Sequence, residues 1–177
     1  MFVDMLTGAL ARELGSTDRT IRRVAGGGTI GGRRTRGGHW RFSERDLEWL
    51  RSHWALLAQL RSALRVEPSV RAAILFGSTA QGTDLPSSDL DLIVELAGDD
   101  PLALGRLRRR LMRKIGRPVD LFLLADLVAE PEILVPLLDQ ARPIIDRDFV
   151  WPRVLRKRRS LVQRAQQRTA SRGYPGK

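Results

Sequence analysis

Two aspartates interrupt the apolar run "SSDLDLIVEL", and no other feature of the sequence restricts the fold as strongly. Asp89 and Asp91 alternate with Leu90 and Leu92, a spacing typical of a strand with its carboxylates on one face and its leucines on the other. Carboxylates that share a strand face repel each other, and burying them without a cation is costly. The run therefore predicts a sheet strand that places a divalent metal ion between two aspartates.

An earlier apolar run, "SVRAAILFGS", predicts a second strand that ends at Gly77 and Ser78. Glycine at this point lets the backbone approach a ligand closely. The following residues, "STAQG", can begin a helix whose free N–H groups favour a phosphate. The Ser78 hydroxyl would add a further donor.

A third carboxylate, Asp120, interrupts the apolar strand "GRPVDLFLL", after a helix expected at about residues 101–115. If these strands are neighbours, Asp120 lies beside the first pair. Three carboxylates that face a phosphate-binding turn suit two-metal phosphoryl or nucleotidyl transfer. One metal would hold the triphosphate and its leaving pyrophosphate, and the other would lower the pKa of an attacking hydroxyl.

The stretch "GSTAQGTDLPSSDLDL", followed by Asp120, resembles the minimal nucleotidyltransferase family, a small branch of the DNA polymerase β superfamily. The resemblance extends from about residue 69 to residue 153, and "ARPIIDRDFVWPRVL" is similar to the end of such domains. It implies an α/β (α+β) nucleotidyltransferase fold with a mixed sheet. It also implies transfer of a nucleoside monophosphate, commonly AMP from ATP, with Mg²⁺ or Mn²⁺ as the metal.

By the same resemblance, Gly77 and Ser78 would hold the triphosphate, and Asp89 and Asp91 would bind metal. Asp120 would bind the catalytic metal and help to activate the acceptor. This chain has Gln81 where many relatives have arginine. Either the phosphate contact is weaker, or another residue supplies the charge, or the domain keeps the fold without catalysis.

The N-terminal third predicts two short helices, a Gly-rich hairpin and a long helix, in "ELGSTDRTIRR", "GGGTIGGRRTRGGHWRF" and "SERDLEWLRSHWALLAQLRSALRV". Residues 6–50 resemble the winged helix-turn-helix of the MerR and excisionase families, which implies DNA binding, usually as a dimer. A helix-turn-helix kept only as a protein-docking scaffold is the alternative. The candidate DNA-binding residues lie on the second helix, for the major groove, and at the hairpin tip, for phosphates. They are Arg19, Thr20, Arg22, Arg23, Arg33, Arg34 and Arg36.

Charge divides the chain into three segments, with domains expected at residues 1–66 and 67–153 and a basic, partly disordered tail at 154–177. Basic and acidic residues number 12 and 6 in residues 1–66, 10 and 14 in 67–150, and 9 and 0 in 151–177. The chain has no cysteine and no apolar run of the ~18 residues that a membrane span needs. These features predict a cytoplasmic protein without a membrane partner.

The transferase domain is too small to build a full acceptor pocket. The family resemblance implies a partner protein as acceptor: an antitoxin of this kind transfers AMP to a tyrosine of a HEPN-type RNase toxin. Two alternatives are a DNA-binding regulator whose second domain only senses nucleotide, and nucleotidylation of a small molecule or an RNA end.

The sequence predicts no catalytic or ligand-binding role for several other polar residues. His39 and His53 lie in different elements with no carboxylate cluster nearby, and Asp84 lies in a loop-like stretch where it should be solvated or act as a cap. The arginines of "GRLRRRLMRKIG" are expected to form a solvated helix face.

Overall fold

A computed structural model describes residues 2–3, 5–98 and 100–172. The strands are β1 (Phe2–Val3), β2 (Gly32–Arg34), β3 (Trp40–Ser43), β4 (Val70–Phe76), β5 (Leu90–Leu96), β6 (Val119–Leu123) and β7 (Arg142–Asp146). The helices are α1 (Thr7–Glu13), α2 (Asp18–Gly26), α3 (Glu44–Arg65), α4 (Gly77–Gln81), α5 (Ala103–Ile115), α6 (Leu124–Ala129), α7 (Pro131–Leu134), α8 (Val150–Arg156) and α9 (Arg158–Arg172). A 3₁₀ turn, Val135–Leu137, follows α7.

The N-terminal elements occur in the order that the sequence predicts: two helices, a hairpin and a long helix. Thr17 caps α2, because its hydroxyl accepts a hydrogen bond from the Thr20 N–H at 3.2 Å. Ser43 caps α3 in the same way, accepting from the Asp46 N–H at 3.1 Å. Strands β1, β3 and β2 form a small antiparallel sheet beside these helices.

The second sheet is mixed, as predicted, with the strand order β6-β5-β4-β7. Strand β4 pairs antiparallel with both β5 and β7, whereas β5 and β6 run parallel and are joined by α5. The central strands are apolar on both faces because helices cover both, and the register of β5 on β6 decides which polar side chains meet.

One hydrophobic cluster runs through both halves of the chain. It includes Leu10 and Ile21 of the N-terminal helices, Leu57 of α3, and Leu75 and Leu92 of the mixed sheet. Helix α3 packs on α5 and β7. The sequence suggested two domains that divide after residue 66, but α3 contributes core residues to both sides of that boundary.

The basic tail expected at residues 154–177 begins within a helical segment. That boundary falls inside α8, and α9 continues as a helix to Arg172. Leu161 of α9 is 3% exposed and packs in a second cluster with Trp151 and strand residues such as Ile93. The segment is therefore attached to the half that contains the mixed sheet by apolar burial; the last five residues of the expected tail lie outside the described part.

Within the described ranges, no helix is both long enough and apolar enough to cross a bilayer.

Candidate active site

Two of the three predicted carboxylates lie directly side by side on neighbouring strands. Asp91 of β5 and Asp120 of β6 are register partners in the parallel pair, so their backbones lie about 5 Å apart. Asp89 immediately precedes β5 and is exposed. The three carboxylates, here called the carboxylate cluster, therefore gather at the start of β5 and the corresponding part of β6.

The predicted phosphate-binding turn lies against this cluster. Phe76 of β4 pairs with Asp91, and Gly77 follows as the first residue of α4. Gly77 has a φ of +70°, and a Cβ built there would overlap the Asp91 carboxylate oxygen Oδ2. Only glycine suits this position, because a side chain would suffer both backbone strain and a clash with the aspartate. Ser78 is the second residue of α4 and is half-buried.

The carboxylates influence one another electrostatically. Burial raises the pKa of Asp91 above its ordinary value, and the negative charges of Asp120 and then Asp89 raise it further. Ionising Asp91 is therefore unfavourable while nothing positive lies beside it. A bound cation would reverse that cost, and this is the electrostatic signature expected of a metal ligand.

The donor set fits Mg²⁺ or Mn²⁺, since both prefer carboxylate oxygens. Within residues 2–3, 5–98 and 100–172, however, no three acidic or histidine side chains are already arranged to hold a metal. Asp120 Oδ1 accepts a hydrogen bond from Arg108 Nη2 at 2.9 Å. Arg108, which the sequence suggested was merely solvated, is thus a cation that contacts the cluster.

The far end of α4 is held by two side chains that the sequence did not indicate. Trp49 Nε1 donates to the Thr79 carbonyl at 2.7 Å, and Arg142 Nε donates to the Ala80 carbonyl at 2.7 Å. Arg142 lies 4.1 Å from the centre of the Trp49 ring and pairs with Asp46 at 2.9 Å. These bonds satisfy carbonyls that a five-residue helix leaves open, and they connect α4 to α3 and β7.

His53 has a carboxylate beside it, and Asp84 is mostly buried rather than solvated, which differs from what the sequence suggested. His53 Nε2 lies 2.9 Å from Asp84 Oδ1, and Arg117 donates to Asp84 Oδ2 at 3.1 Å. Burial opposes the charge on Asp84, but the hydrogen bonds from His53 and Arg117 outweigh it and lower its pKa. The three residues are far apart in the sequence, and no local pattern could have grouped them. They fix the loop that leads from α4 to β5.

The seven candidate DNA-binding residues all lie in the N-terminal unit, by which we mean α1, α2, the hairpin of β2 and β3, and α3. The six arginines are exposed, and Thr20 is half-buried. Arg22 pairs with Asp18 one helical turn away at 2.6 Å. Arg33 and Arg34 lie on β2, and Arg36 lies in the turn that follows. The seven residues thus occupy α2 and the hairpin, as the sequence predicts; DNA binding itself stays a prediction.

Comparison with known proteins finds a family match that covers most of the second half of the chain. The family model described as "Polymerase beta, Nucleotidyltransferase" matches residues 58–149, just over half of the 177 residues. A search of curated proteins finds no match.

Among solved structures, a chain from a crystal structure of a toxin–antitoxin with AMP-PNP is 24% identical, with a TM-score of 0.53. The match covers 65% of this chain and 93% of that one. Two mutants of the toxin–antitoxin MntA-HpeT also match. One is 23% identical with a TM-score of 0.53, covering 65% of this chain and 93% of that chain. The other is 25% identical with a TM-score of 0.51, covering 64% and 91%.

The family match begins inside α3 and includes both the turn at Gly77 and the carboxylate cluster. The chain belongs to the polymerase β nucleotidyltransferase family and is a nucleotidyltransferase.

Proposed function

We propose that this protein transfers AMP from ATP to a hydroxyl of a partner protein, and that it is the antitoxin of a toxin–antitoxin pair. The observation that carries the proposal is the register of Asp91 with Asp120 beside Gly77. It puts mutually repelling carboxylates next to a turn suited to phosphate.

In this mechanism Asp89, Asp91 and Asp120 would hold Mg²⁺ or Mn²⁺, while the acceptor oxygen bonds to the α-phosphorus of ATP and pyrophosphate leaves. The metal would neutralise charge on the phosphates and promote loss of the acceptor proton. Gly77 allows the triphosphate to approach the backbone, and the first N–H groups of α4 together with the Ser78 hydroxyl bind phosphate oxygens. Asp120 lies on β6, the edge strand of the sheet, which leaves its side open to an acceptor hydroxyl.

The partner is proposed to be a HEPN-type toxin. Two findings support this. The fold matches chains from toxin–antitoxin crystal structures, one of them at 25% identity, and one structure contains the ATP analogue AMP-PNP. The transferase half of this chain is also small and builds no separate acceptor domain around the carboxylate cluster in the described residues.

We propose further that the N-terminal unit binds double-stranded DNA and that the protein binds it as a homodimer. Support comes from the helix, helix, hairpin, helix order and from the exposed arginines on α2 and the hairpin. Antitoxins that repress their own promoters would combine these two activities in one chain.

The deciding experiment incubates the purified protein with Mg²⁺ and each α-labelled nucleoside triphosphate, with and without the product of the adjacent gene. The double variant Asp89→Ala/Asp91→Ala removes the proposed metal ligands. A matched control, Asp139→Ala, removes an exposed carboxylate that pairs with Arg158 elsewhere. We expect label from ATP on the partner with the wild type and the control, and none with the double variant.

Two other results would redirect the assignment. Nucleotide binding by a folded protein without any label would favour a DNA-binding regulator that senses nucleotide. Label on a small molecule or an RNA end, but not on protein, would favour the other class of acceptor.

A further inference from the structure

A cavity of about 270 Å³ lies between the N-terminal unit and the mixed sheet, and four of its ten lining residues are arginines. Arg23 comes from the end of α2, Arg61 and Arg65 from the last two turns of α3, and Arg147 from the loop after β7. One acidic residue, Asp146, also lines it. We call this the arginine pocket.

The charges in the arginine pocket are poorly balanced. Asp146 is already engaged: its Oδ1 accepts from the Val150 N–H at 2.8 Å and its Oδ2 from the Trp151 N–H at 3.1 Å, which caps α8. Arg147 is engaged too, because it donates to backbone carbonyls at the end of α3, including that of Arg65 at 3.0 Å. Asp146 is thus a single negative charge among four arginines, and it forms no ion pair with any of them within the described residues.

The side chains of the other three arginines form few hydrogen bonds or ion pairs with the described residues. Arg23 and Arg65 form no side-chain hydrogen bond or ion pair with the described residues. Arg61 donates only to the Ile144 carbonyl at 2.8 Å. Burial of Arg61, together with the neighbouring charges of Arg23 and Arg65, lowers its pKa.

A structural explanation accounts for part of this arrangement. A cation in the last turn of a helix interacts favourably with the helix dipole, which explains Arg65. Arg23 lies in the last turn of α2, so the same explanation covers it. It does not explain Arg61, which lies a full turn before Arg65. Three arginines that line one cavity, one of them partly buried and raised in energy by the other two, suit an anionic ligand.

We propose that the arginine pocket binds a phosphate group. Arginine presents planar, bidentate donors that match phosphate oxygens. A cavity of about 270 Å³ falls below the usual size of sites for drug-sized ligands, which suits one or two phosphates. The group could be free phosphate or pyrophosphate, or a phosphate of a DNA backbone that passes α2. This site is separate from the carboxylate cluster and does not depend on transferase activity.

The test measures binding of inorganic phosphate and of pyrophosphate by calorimetry, with the full chain, in EDTA and at constant ionic strength. Arg61→Gln and Arg65→Gln each remove one positive charge from the pocket. Arg159→Gln, on the exposed surface of α9, removes the same charge elsewhere. We expect pocket substitutions to weaken binding about tenfold or more, with no change for Arg159→Gln. The double variant Asp89→Ala/Asp91→Ala should bind like the wild type, which separates this pocket from the active site.

A second arm addresses DNA. Binding of a duplex is followed by fluorescence anisotropy at several salt concentrations. If the pocket holds a backbone phosphate, Arg61→Gln lowers the slope of log K against log salt by about 1, and Arg159→Gln does not.

Weaker binding of phosphate by the pocket variants, or a smaller salt slope for DNA binding by Arg61→Gln, supports the proposal. The arm that responds identifies the source of the phosphate. Equal behaviour of the wild type, Arg61→Gln and Arg65→Gln in both arms overturns the proposal. If Arg61→Gln fails to fold by circular dichroism, Arg65→Gln carries the test, because Arg65 is exposed and its side chain makes no contact that the fold needs.

Discussion

The carboxylate cluster and the arginine pocket carry opposite charges, but each brings together side chains of like charge. In the first, Asp89, Asp91 and Asp120 repel one another, and in the second, Arg23 and Arg65 repel Arg61. Neither arrangement stabilises the empty protein. Folds retain destabilising groups where function needs them, so a like-charge cluster indicates a ligand of opposite charge, whichever sign the protein supplies.

The largest effect is expected from Asp91→Asn, which removes the charge at the centre of the carboxylate cluster. Activity should fall about a hundredfold to a thousandfold, because the proposed metal loses a ligand. Stability should move the other way: in EDTA the variant should unfold at the same or slightly higher urea concentration, since a strained buried charge is gone.

Rates with labelled ATP and urea unfolding of wild type and Asp91→Asn check both halves of this prediction. Mg²⁺ should raise the midpoint of the wild type and not that of the variant. A variant that stays active, or one that unfolds much more easily, would contradict the view that the charge of Asp91 serves function at a cost in stability.

The next prediction compares two buried or partly buried arginines. Arg142 is 8% exposed and fully engaged with Asp46, with the Ala80 and Thr29 carbonyls and with the Trp49 ring. Arg142→Gln leaves Asp46 without its partner and should lower the free energy of unfolding by about 3–5 kcal/mol. Arg61→Gln should lower it by less than about 1 kcal/mol, because it also removes like-charge repulsion.

Urea denaturation of the two variants measures that difference directly. Similar losses would mean that the arginine pocket is structural in the way that Arg142 is, and the comparison with the carboxylate cluster would fail.

The two clusters also differ in what the sequence can predict. Asp89 and Asp91 are two residues apart, and strand periodicity puts them near each other. A helix separates their strand from that of Asp120, which lies beside them only if the two strands are neighbours. Both strands and the turn at Gly77 follow from local patterns. The arginine pocket draws on α2, α3 and the loop after β7, whose packing depends on the whole hydrophobic cluster.

The same reason explains why Trp49 and Arg142 were not indicated as supports of α4. The contact between Arg142 and Ala80 joins residues 62 positions apart, and no repeat or motif connects them. The boundary expected at residue 66 and the tail expected from residue 154 also depended on composition. Burial of Leu57 and Leu161 decides where those segments pack, and composition does not record burial.

A third prediction concerns Asp84, whose carboxylate is hydrogen-bonded by His53 and Arg117 and so, unlike the two clusters above, has partners within the chain. The pKa of Asp84 is depressed, so its contribution to stability is present above the ordinary value of 3.8 and is lost as the pH falls through the lowered pKa. Asp84→Asn should therefore be less stable than the wild type at neutral pH, and the gap should narrow in acid below about pH 3.8. Urea midpoints measured across this range test it, and a gap that stays constant would show that the charge of Asp84 is unimportant.

The smallest effect is expected at Arg108, the cation that contacts the carboxylate cluster. Its bond to Asp120 Oδ1 at 2.9 Å competes with a metal for the same oxygen. Because both side chains are about half exposed, with 51% and 43% of their surface accessible, the pair contributes only about 0–1 kcal/mol. Arg108→Gln should therefore tighten Mn²⁺ binding by no more than about fivefold. Arg106→Gln, on the same helix as Arg108, is the control; it breaks a pair with Asp100, which precedes the helix, and should leave the affinity unchanged. Electron paramagnetic resonance of free Mn²⁺ gives the affinities without any need for activity. Weaker binding by Arg108→Gln alone would mean that Arg108 orients Asp120 for the metal, so that the cluster already carries part of its counter-charge within the chain.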